Sequence, residues 1–232
     1  VATPVGDVLD GRAIRGAVVN GAGVLLAVDT NADAIVTIDP TDGSVVGRPV
    51  ALTIACAPAS VGTATDLVQL PNGMYVLARF AAGTQSLLRL DLPSGRLTPL
   101  HVDTDPDDGV SVFLAGLATV NAAGPDVLLA YEVNNADDIF SYNLSKGFAR
   151  TELFTNIIPS YNAGRGDLAA SVVVFGADLV PQDLNGDGEV DATDLAALLS
   201  AWGRCAGCAP DFNCSGAVDS EDLAILLGAW SP

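Results

Sequence analysis

Over roughly the first 180 positions the apolar residues come in short alternating runs, and over the tail they change to a helical spacing, so two kinds of architecture follow one another in the chain. In the first region three strand-then-turn segments repeat every 52 residues (91 minus 39, 143 minus 91): Ile35-Val-Thr-Ile38-Asp39-Pro-Thr-Asp-Gly43, Leu87-Leu-Arg-Leu90-Asp91-Leu-Pro-Ser-Gly95 and Ile139-Phe-Ser-Tyr142-Asn143-Leu-Ser-Lys-Gly147. Glycine at a fixed turn position predicts a positive φ, and the preceding Asp or Asn supplies the side-chain-to-backbone bond that starts such a turn. Each repeat carries two earlier strand candidates, Ala13 to Val19 then Val24 to Val28, Asp66 to Leu70 then Met74 to Phe80, and Leu114 to Val120 then Val127 to Glu132. Asn20-Gly21 and Asn72-Gly73 are expected as the hairpin turns between them. A fourth strand follows each shared glycine: Ser44 to Pro49, Arg96 to Val102 and Phe148 to Phe154. Four short antiparallel strands per repeat predict a mainly β fold of β-propeller blades.

In the tail a constant offset of 28 (223 minus 195) carries Leu195, Leu198, Leu199 and Trp202 onto Leu223, Leu226, Leu227 and Trp230, and the spacing i, i+3, i+4, i+7 is one helical face. Immediately before each helix stands a twelve-residue loop, Asp183-Leu-Asn185-Gly-Asp187-Gly188-Glu189-Val190-Asp191-Ala-Thr-Asp194 and then Asp211-Phe-Asn213-Cys-Ser215-Gly216-Ala217-Val218-Asp219-Ser-Glu-Asp222. Oxygen-bearing side chains at loop positions 1, 3, 5, 9 and 12, with glycine at 6 for the sharp turn, are what a hard cation such as Ca²⁺ requires of one short loop. No helical stretch precedes either loop, so each unit is half an EF-hand.

Tandem loop-helix units with Asp at position 12 resemble the type I dockerin module, and residues 183 to 230 cover that module from end to end. The resemblance implies two Ca²⁺ ions and a cohesin-like or cell-surface protein partner. It implies as ligands Asp183, Asn185, Asp187, the Glu189 carbonyl, Asp191 through water, and Asp194. The second set is Asp211, Asn213, Ser215, the Ala217 carbonyl, Asp219 and Asp222. Ser215 stands where a carboxylate is usual, which predicts a weaker second site. The partner-reading positions, Ala192-Thr193 and Ser220-Glu221, differ from the Ser/Thr pair of cellulosome dockerins. The repeats resemble the blades of secreted bacterial propellers of the NHL, YncE and related kinds, over about residues 13 to 155. The expected division is 1–179 for the repeats and 180–232 for the dockerin-like module. Three blades do not close a propeller, and Asp167 to Leu179 supplies at most part of a fourth. Blades before Val1 are therefore expected, with an open arc or a β-sandwich as the alternative.

Composition narrows the function further. A net charge of -18 with a single lysine, Lys146, disfavours nucleic acid and anionic membranes as partners, and no apolar run reaches membrane-spanning length. Val1 is neither an initiator Met nor the start of a leader, so a signal peptide is expected to be removed or to lie outside this sequence. Calcium loops together with cysteines point outside the cytoplasm. Cys205, Cys208 and Cys214 crowd the linker and second loop while Cys56 stands far off; a disulfide pinning the second loop to the linker is favoured over zinc, and the pairing stays open.

Catalytic constellations are not apparent. His101, the only histidine, reads as a surface or turn residue, and there is neither a nucleophile elbow nor a phosphate-binding loop. The acidic run Asp103-Thr-Asp105-Pro-Asp107-Asp108-Gly109 reads as a solvated inter-blade loop, with a third calcium or a glycosidase pair as alternatives. Tyr75, Tyr131, Tyr142 and Tyr161 are expected to pack between blades rather than line a sugar-binding face. The functional expectation is an extracellular calcium-binding protein with a scaffold for a carbohydrate or protein ligand and a docking tail. The alternative is the C-terminal part of a secreted glycoside hydrolase or lyase.

Overall fold

The computed structural model describes residues 12–61, 65–81, 83–103, 113–119, 127–132, 138–154, 181–185, 189–205 and 207–231. The alternating runs form three successive antiparallel meanders. The first comprises β1 (Ile14–Val19), β2 (Leu25–Asp29), β3 (Ala34–Ile38) and β4 (Val45–Ala51), hydrogen-bonded in chain order. Two short strands follow, β5 (Thr53–Ile54) and β6 (Ala57–Pro58), and then the second meander: β7 (Thr65–Gln69), β8 (Tyr75–Ala81), β9 (Thr84–Asp91) and β10 (Arg96–Asp103). Strand β5 adds in parallel to the outer edge of β10, pairing Thr53 with Arg96 and Ile54 with Leu97, so the connector between the first two meanders becomes part of the second sheet. The third meander is β11 (Leu114–Thr119), β12 (Val127–Glu132), β13 (Ile139–Asn143) and β14 (Ala149–Phe154).

Strand β7 contacts both β1 and β11, so the first strand of each meander meets its counterpart in the next, which is the arrangement of consecutive propeller blades. The second sheet is buried on both faces, which is why its strands read as nearly continuous apolar runs. Leu67, Leu77, Leu88 and Leu90 face the first sheet's Leu26, Val28 and Ile35. Val68, Val76, Ala78 and Leu87 face the third sheet's Leu117, Leu128, Phe140 and Tyr142. Buried polar groups tie the sheets at their inner strands. Asp66 accepts from Leu67 N and, at 2.6 Å, from Leu117 N across the sheet boundary, and Gln85 accepts from Leu114 N at 3.1 Å. Both oxygens of Asp66 thereby have partners in a place where an unpaired carboxyl group would be costly.

The 52-residue turns form as expected. Gly43, Gly95 and Gly147 have φ of 75°, 72° and 66°, while Asp39 accepts from Thr41 N and Asn143 from Lys146 N. Of the earlier hairpins, Asn72-Gly73 forms its turn as expected, whereas the first departs from the Asn20-Gly21 expectation. The loop closes from Asn20 N to Val24 O and from Leu70 N to Met74 O, and the glycines at positive φ are Gly23 and Gly73. The hairpin register is therefore 50 residues (73 minus 23), not 52. Asn20 opens its turn by accepting from Ala22 N and Val24 N, whereas Asn72, in the middle of the next turn, accepts from Met74 N. His101 also departs from expectation: it lies within β10, half-buried, with its ring stacked on Phe148 at 5.1 Å and tilted against Tyr142 at 6.0 Å. Tyr131 and Tyr142 are buried and Tyr75 half-buried in the apolar clusters' strands. Tyr161, residues 104–109 of the acidic run and Asp167 to Leu179 lie outside the described residues.

Candidate metal centre

The tail forms α1 (Ala192–Ser200) and α2 (Ser220–Gly228), joined through two short strands, β15 (Gly203–Arg204) and β16 (Ala217–Val218). Both helices begin with the same device. Loop position 9, Asp191 or Asp219, is the N-cap and accepts from the amide two residues on; loop position 12, Asp194 or Asp222, is the third helical residue and accepts from the N-cap amide in return. This reciprocal box, with an acidic group in the first turn beside the positive end of the helix dipole, starts each helix at loop position 10, so that the last three loop residues are its first turn.

The position-12 carboxylates also reach back to the beginning of their loops. Asp194 Oδ1 accepts from Leu184 N at 2.6 Å and Asn185 N at 3.2 Å, and Asp222 Oδ1 accepts from Phe212 N at 2.7 Å and Asn213 N at 3.2 Å. Each loop is thus closed end to end by one side chain. Asp183, Asp194, Asp211 and Asp222 are all buried, at 1%, 0%, 0% and 0% exposure, whereas Asn185, Glu189, Asn213 and Ser215 are exposed and Asp191, Ala217 and Asp219 half-buried. Asp187 lies outside the described residues. Inside the second loop Asp211 accepts from Ser215 N and Gly216 N, both at 3.0 Å, and Ser215 Oγ donates to the Ala217 carbonyl at 3.0 Å. Among the described residues no three His, Cys, Asp or Glu side chains converge on one point. The oxygen donors along the two loops are mixed, carboxylates with amide and hydroxyl groups, a chemistry suited to a hard cation.

The halves interlock with the 28-residue period. Position 8 of the first loop, Val190, exchanges bonds with Ser231 beyond α2: its carbonyl accepts from Ser231 N at 3.0 Å and its amide donates to Ser231 Oγ at 3.2 Å. Position 8 of the second loop, Val218, pairs with Gly203 beyond α1. Val190, Leu198, Val218 and Leu226 form the core, with Leu195 and Leu223 half-buried against it. The helical face predicted from sequence is consequently split. Leu199, Trp202, Leu227 and Trp230 remain 50%, 49%, 50% and 38% exposed, because two nine-residue helices packed on one another cover only a narrow stripe.

Sequence reasoning missed the contacts between this unit and the second sheet. Cys214 in the second loop is disulfide-bonded to Cys56 in the β5–β6 turn, at a sequence separation of 158, while Cys205 pairs with Cys208. The expected bridge from the second loop to the linker is therefore replaced by one to the repeats, since the linker cysteines take each other. With all four cysteines in disulfides, thiolates for zinc are not at hand. Arg89 of β9 donates to the Asp183 carbonyl, and Arg96 of β10 donates to the carbonyls of Cys208 and Ala209 at 2.9 and 3.2 Å. Burial pushes both guanidinium pKa values down, against the opposing pull of Asp183 on Arg89 and Asp211 on Arg96. The only advance signal was that these two arginines occupy strand positions among apolar neighbours.

Residues 181–229 match the family model of the dockerin type I domain. No curated protein matches the chain. Among solved structures it is similar to virginiamycin B lyase from Staphylococcus aureus bound to quinupristin, at 18% identity and a TM-score of 0.44, over 68% of this chain and 45% of that one. It is also similar to a putative TolB from Agrobacterium tumefaciens, at 14% identity and a TM-score of 0.42, over 62% and 46%. The chain thus spans less than half the length of either.

Proposed function

We propose that this chain is an extracellular docking protein, in which a propeller-like scaffold (1–179) carries a module (180–232) folded by two structural calcium ions. The observation that carries the reading is the burial of two carboxylates in each loop, Asp183 with Asp194 and Asp211 with Asp222. Four buried acidic groups within a small unit exceed the charge of the two guanidiniums beside them, Arg89 and Arg96, and a divalent cation in each loop supplies the balance. The first site would be held by Asp183, Asn185, Asp187, the Glu189 carbonyl, Asp191 and Asp194. The second would use Asp211, Asn213, Ser215, the Ala217 carbonyl, Asp219 and Asp222. Position 12 gives the coupling: the same aspartate closes the loop, completes the capping box and ligates, so calcium affinity and helix formation are one equilibrium.

The partner reading rests on the exposed apolar pairs. Leu199 with Trp202 and Leu227 with Trp230 repeat at the 28-residue offset and present two equivalent hydrophobic surfaces, suited to a cohesin-type domain on another protein. No helix among the described residues is long and apolar enough to cross a membrane, in keeping with attachment through a protein partner. The scaffold's own ligand would be a carbohydrate or a protein.

The test is calcium titration of the EDTA-treated full chain, followed by heat, far-UV circular dichroism and tryptophan fluorescence. Both tryptophans, Trp202 and Trp230, follow the module's helices, so fluorescence reports on the tail alone. Two binding events with a gain of helix and a tryptophan shift are expected. Absence of binding at millimolar calcium rejects the reading.

A further inference from the structure

We infer that the second sheet is a docking surface in cis for the calcium module, and that the Cys56–Cys214 disulfide sets the calcium affinity of the second loop while leaving the first unaffected. The inference rests on the calcium reading above. Three contacts fasten the second loop and the segment before it to the second sheet and its β5–β6 turn. Cys214, at loop position 4, is covalently joined to Cys56, with Cα atoms 5.8 Å apart. Arg96 fixes the chain just before the loop by donating to two successive carbonyls, those of Cys208 and Ala209. Gly207 lies against Ala55, so closely that a Cβ built on it would sit 2.5 Å from the Ala55 Cβ. The first loop has no cysteine; Arg89 donates to its Asp183 carbonyl, and its Leu184 lines a small cavity with Arg89 and Arg96 of the sheet.

The backbone on both sides of the disulfide is held in an unusual conformation. Ala55, Cys56 and Cys214 have φ of 49°, 60° and 59°, a region unfavourable for a non-glycine residue that persists where surrounding contacts enforce it. Cys214 sits between Asn213 and Ser215, two of the proposed ligands, and its left-handed turn lets the Ser215 amide face both Asp211 and Asn213. A link at that point removes loop freedom that calcium would otherwise have to freeze out. The loop that lacks a carboxylate at position 5 is the one given a covalent anchor. Its calcium site is thereby made dependent on an oxidising environment, where the disulfide persists.

The experiment compares calcium binding to the oxidised full chain with binding to Cys56→Ser/Cys214→Ser and to Gly207→Ala. The latter keeps the disulfide, charges and ligands but sets a Cβ against Ala55 at a φ of 75° that favours glycine, so the turn before the loop must shift. Each is measured in an Asp222→Ala background, which isolates the first site, and in an Asp194→Ala background, which isolates the second. The expected result is a second site weakened about tenfold by the serine pair and about threefold by Gly207→Ala, with the first site within twofold of its starting value. An unchanged second site, or an equal fall at both sites, overturns the inference while leaving the calcium reading intact. If the serine pair loses its sheet signal in circular dichroism, Gly207→Ala decides alone. No calcium binding by the oxidised parent chain defeats the calcium reading itself, and this inference with it.

Discussion

The two halves of the tail are built from one pattern, yet they are held in different ways. Both start a helix with a capping box, both close their loop through a buried position-12 aspartate, and each pairs its eighth loop residue with the segment beyond the other helix. What separates them is their attachment. Among the described residues the first loop meets the second sheet non-covalently, through Arg89 to the Asp183 carbonyl and through Leu184 beside Arg89 and Arg96, whereas the second is fixed by a disulfide, with Arg96 and the close approach of Gly207 to Ala55 holding the segment before it. The lesson is that local sequence dictates the shape of such a loop, while its rigidity is set by what it is fastened to.

The largest effect should come from the residue with the most roles. Asp194→Ala removes a buried carboxylate that accepts from Leu184, Asn185 and Asp191 amides, and Asp222→Ala removes the same three bonds from the second half. Hydrogen bonds to a charged group are worth about 1.5–3 kcal/mol each, so the loop and the first helical turn should come apart together. Each variant is expected to lose calcium binding at its own site by more than about a hundredfold, equivalent to about 2.7 kcal/mol. Retention of both binding events after either change would show that position 12 does not ligate. The halves should nonetheless differ in circular dichroism: Asp222→Ala leaves its loop anchored at Cys56, so less helix is lost than with Asp194→Ala.

Next in size are the core leucines. Leu198 and Leu226 are both fully buried at equivalent places, and truncation to alanine in such a site costs about 2–5 kcal/mol. If the interlocked core is shared, Leu198→Ala and Leu226→Ala should lower the tryptophan-monitored melting temperature by similar amounts. A large inequality would show that the anchored half is stable on its own and that the symmetry of the core is only apparent.

Much of this was legible in the sequence, for identifiable reasons. Period-2 runs bounded by Asp or Asn and glycine fixed the strands and the 52-residue turns, because a positive φ and an Asx bond are local requirements. The loop-helix units were legible because ligand spacing, capping box and helical start share the same residues. The register of the first hairpins was not, since the β8–β9 hairpin, paired from Tyr75–Leu90 to Ala81–Thr84, has longer strands than the β2–β3 hairpin, paired from Leu25–Ile38 to Asp29–Ala34; the extra residues shift the glycine without disturbing the downstream period. The Cys56–Cys214 link was not, because it joins residues 158 apart and depends on β5 adding to the edge of β10, a pairing of two residues that leaves no period to read. Nor did the spacing of Leu195, Leu198, Leu199 and Trp202 reveal which part of the face is covered, since that depends on the width of the facing helix.

The smallest predicted change would equalise the loops chemically while leaving their attachment unequal. Ser215→Asp supplies the carboxylate that the first loop has at Asp187, in a loop where Asp211 and Asp222 are already buried. In the absence of calcium a third negative group near Asp211 repels its neighbours, and the Ser215 Oγ bond to the Ala217 carbonyl is lost, so the EDTA-treated variant should melt earlier. With calcium the sign reverses, because the added anion interacts with a doubly charged ion at ligand distance and affinity rises with ligand charge. The expected gain at the second site is about tenfold, near 1.4 kcal/mol, measured calorimetrically in an Asp194→Ala background. If the anchored loop is the better organised of the two, Ser215→Asp should bind more tightly than the first site as well as more tightly than its own parent. A second site that merely draws level would mean that the disulfide contributes position without rigidity.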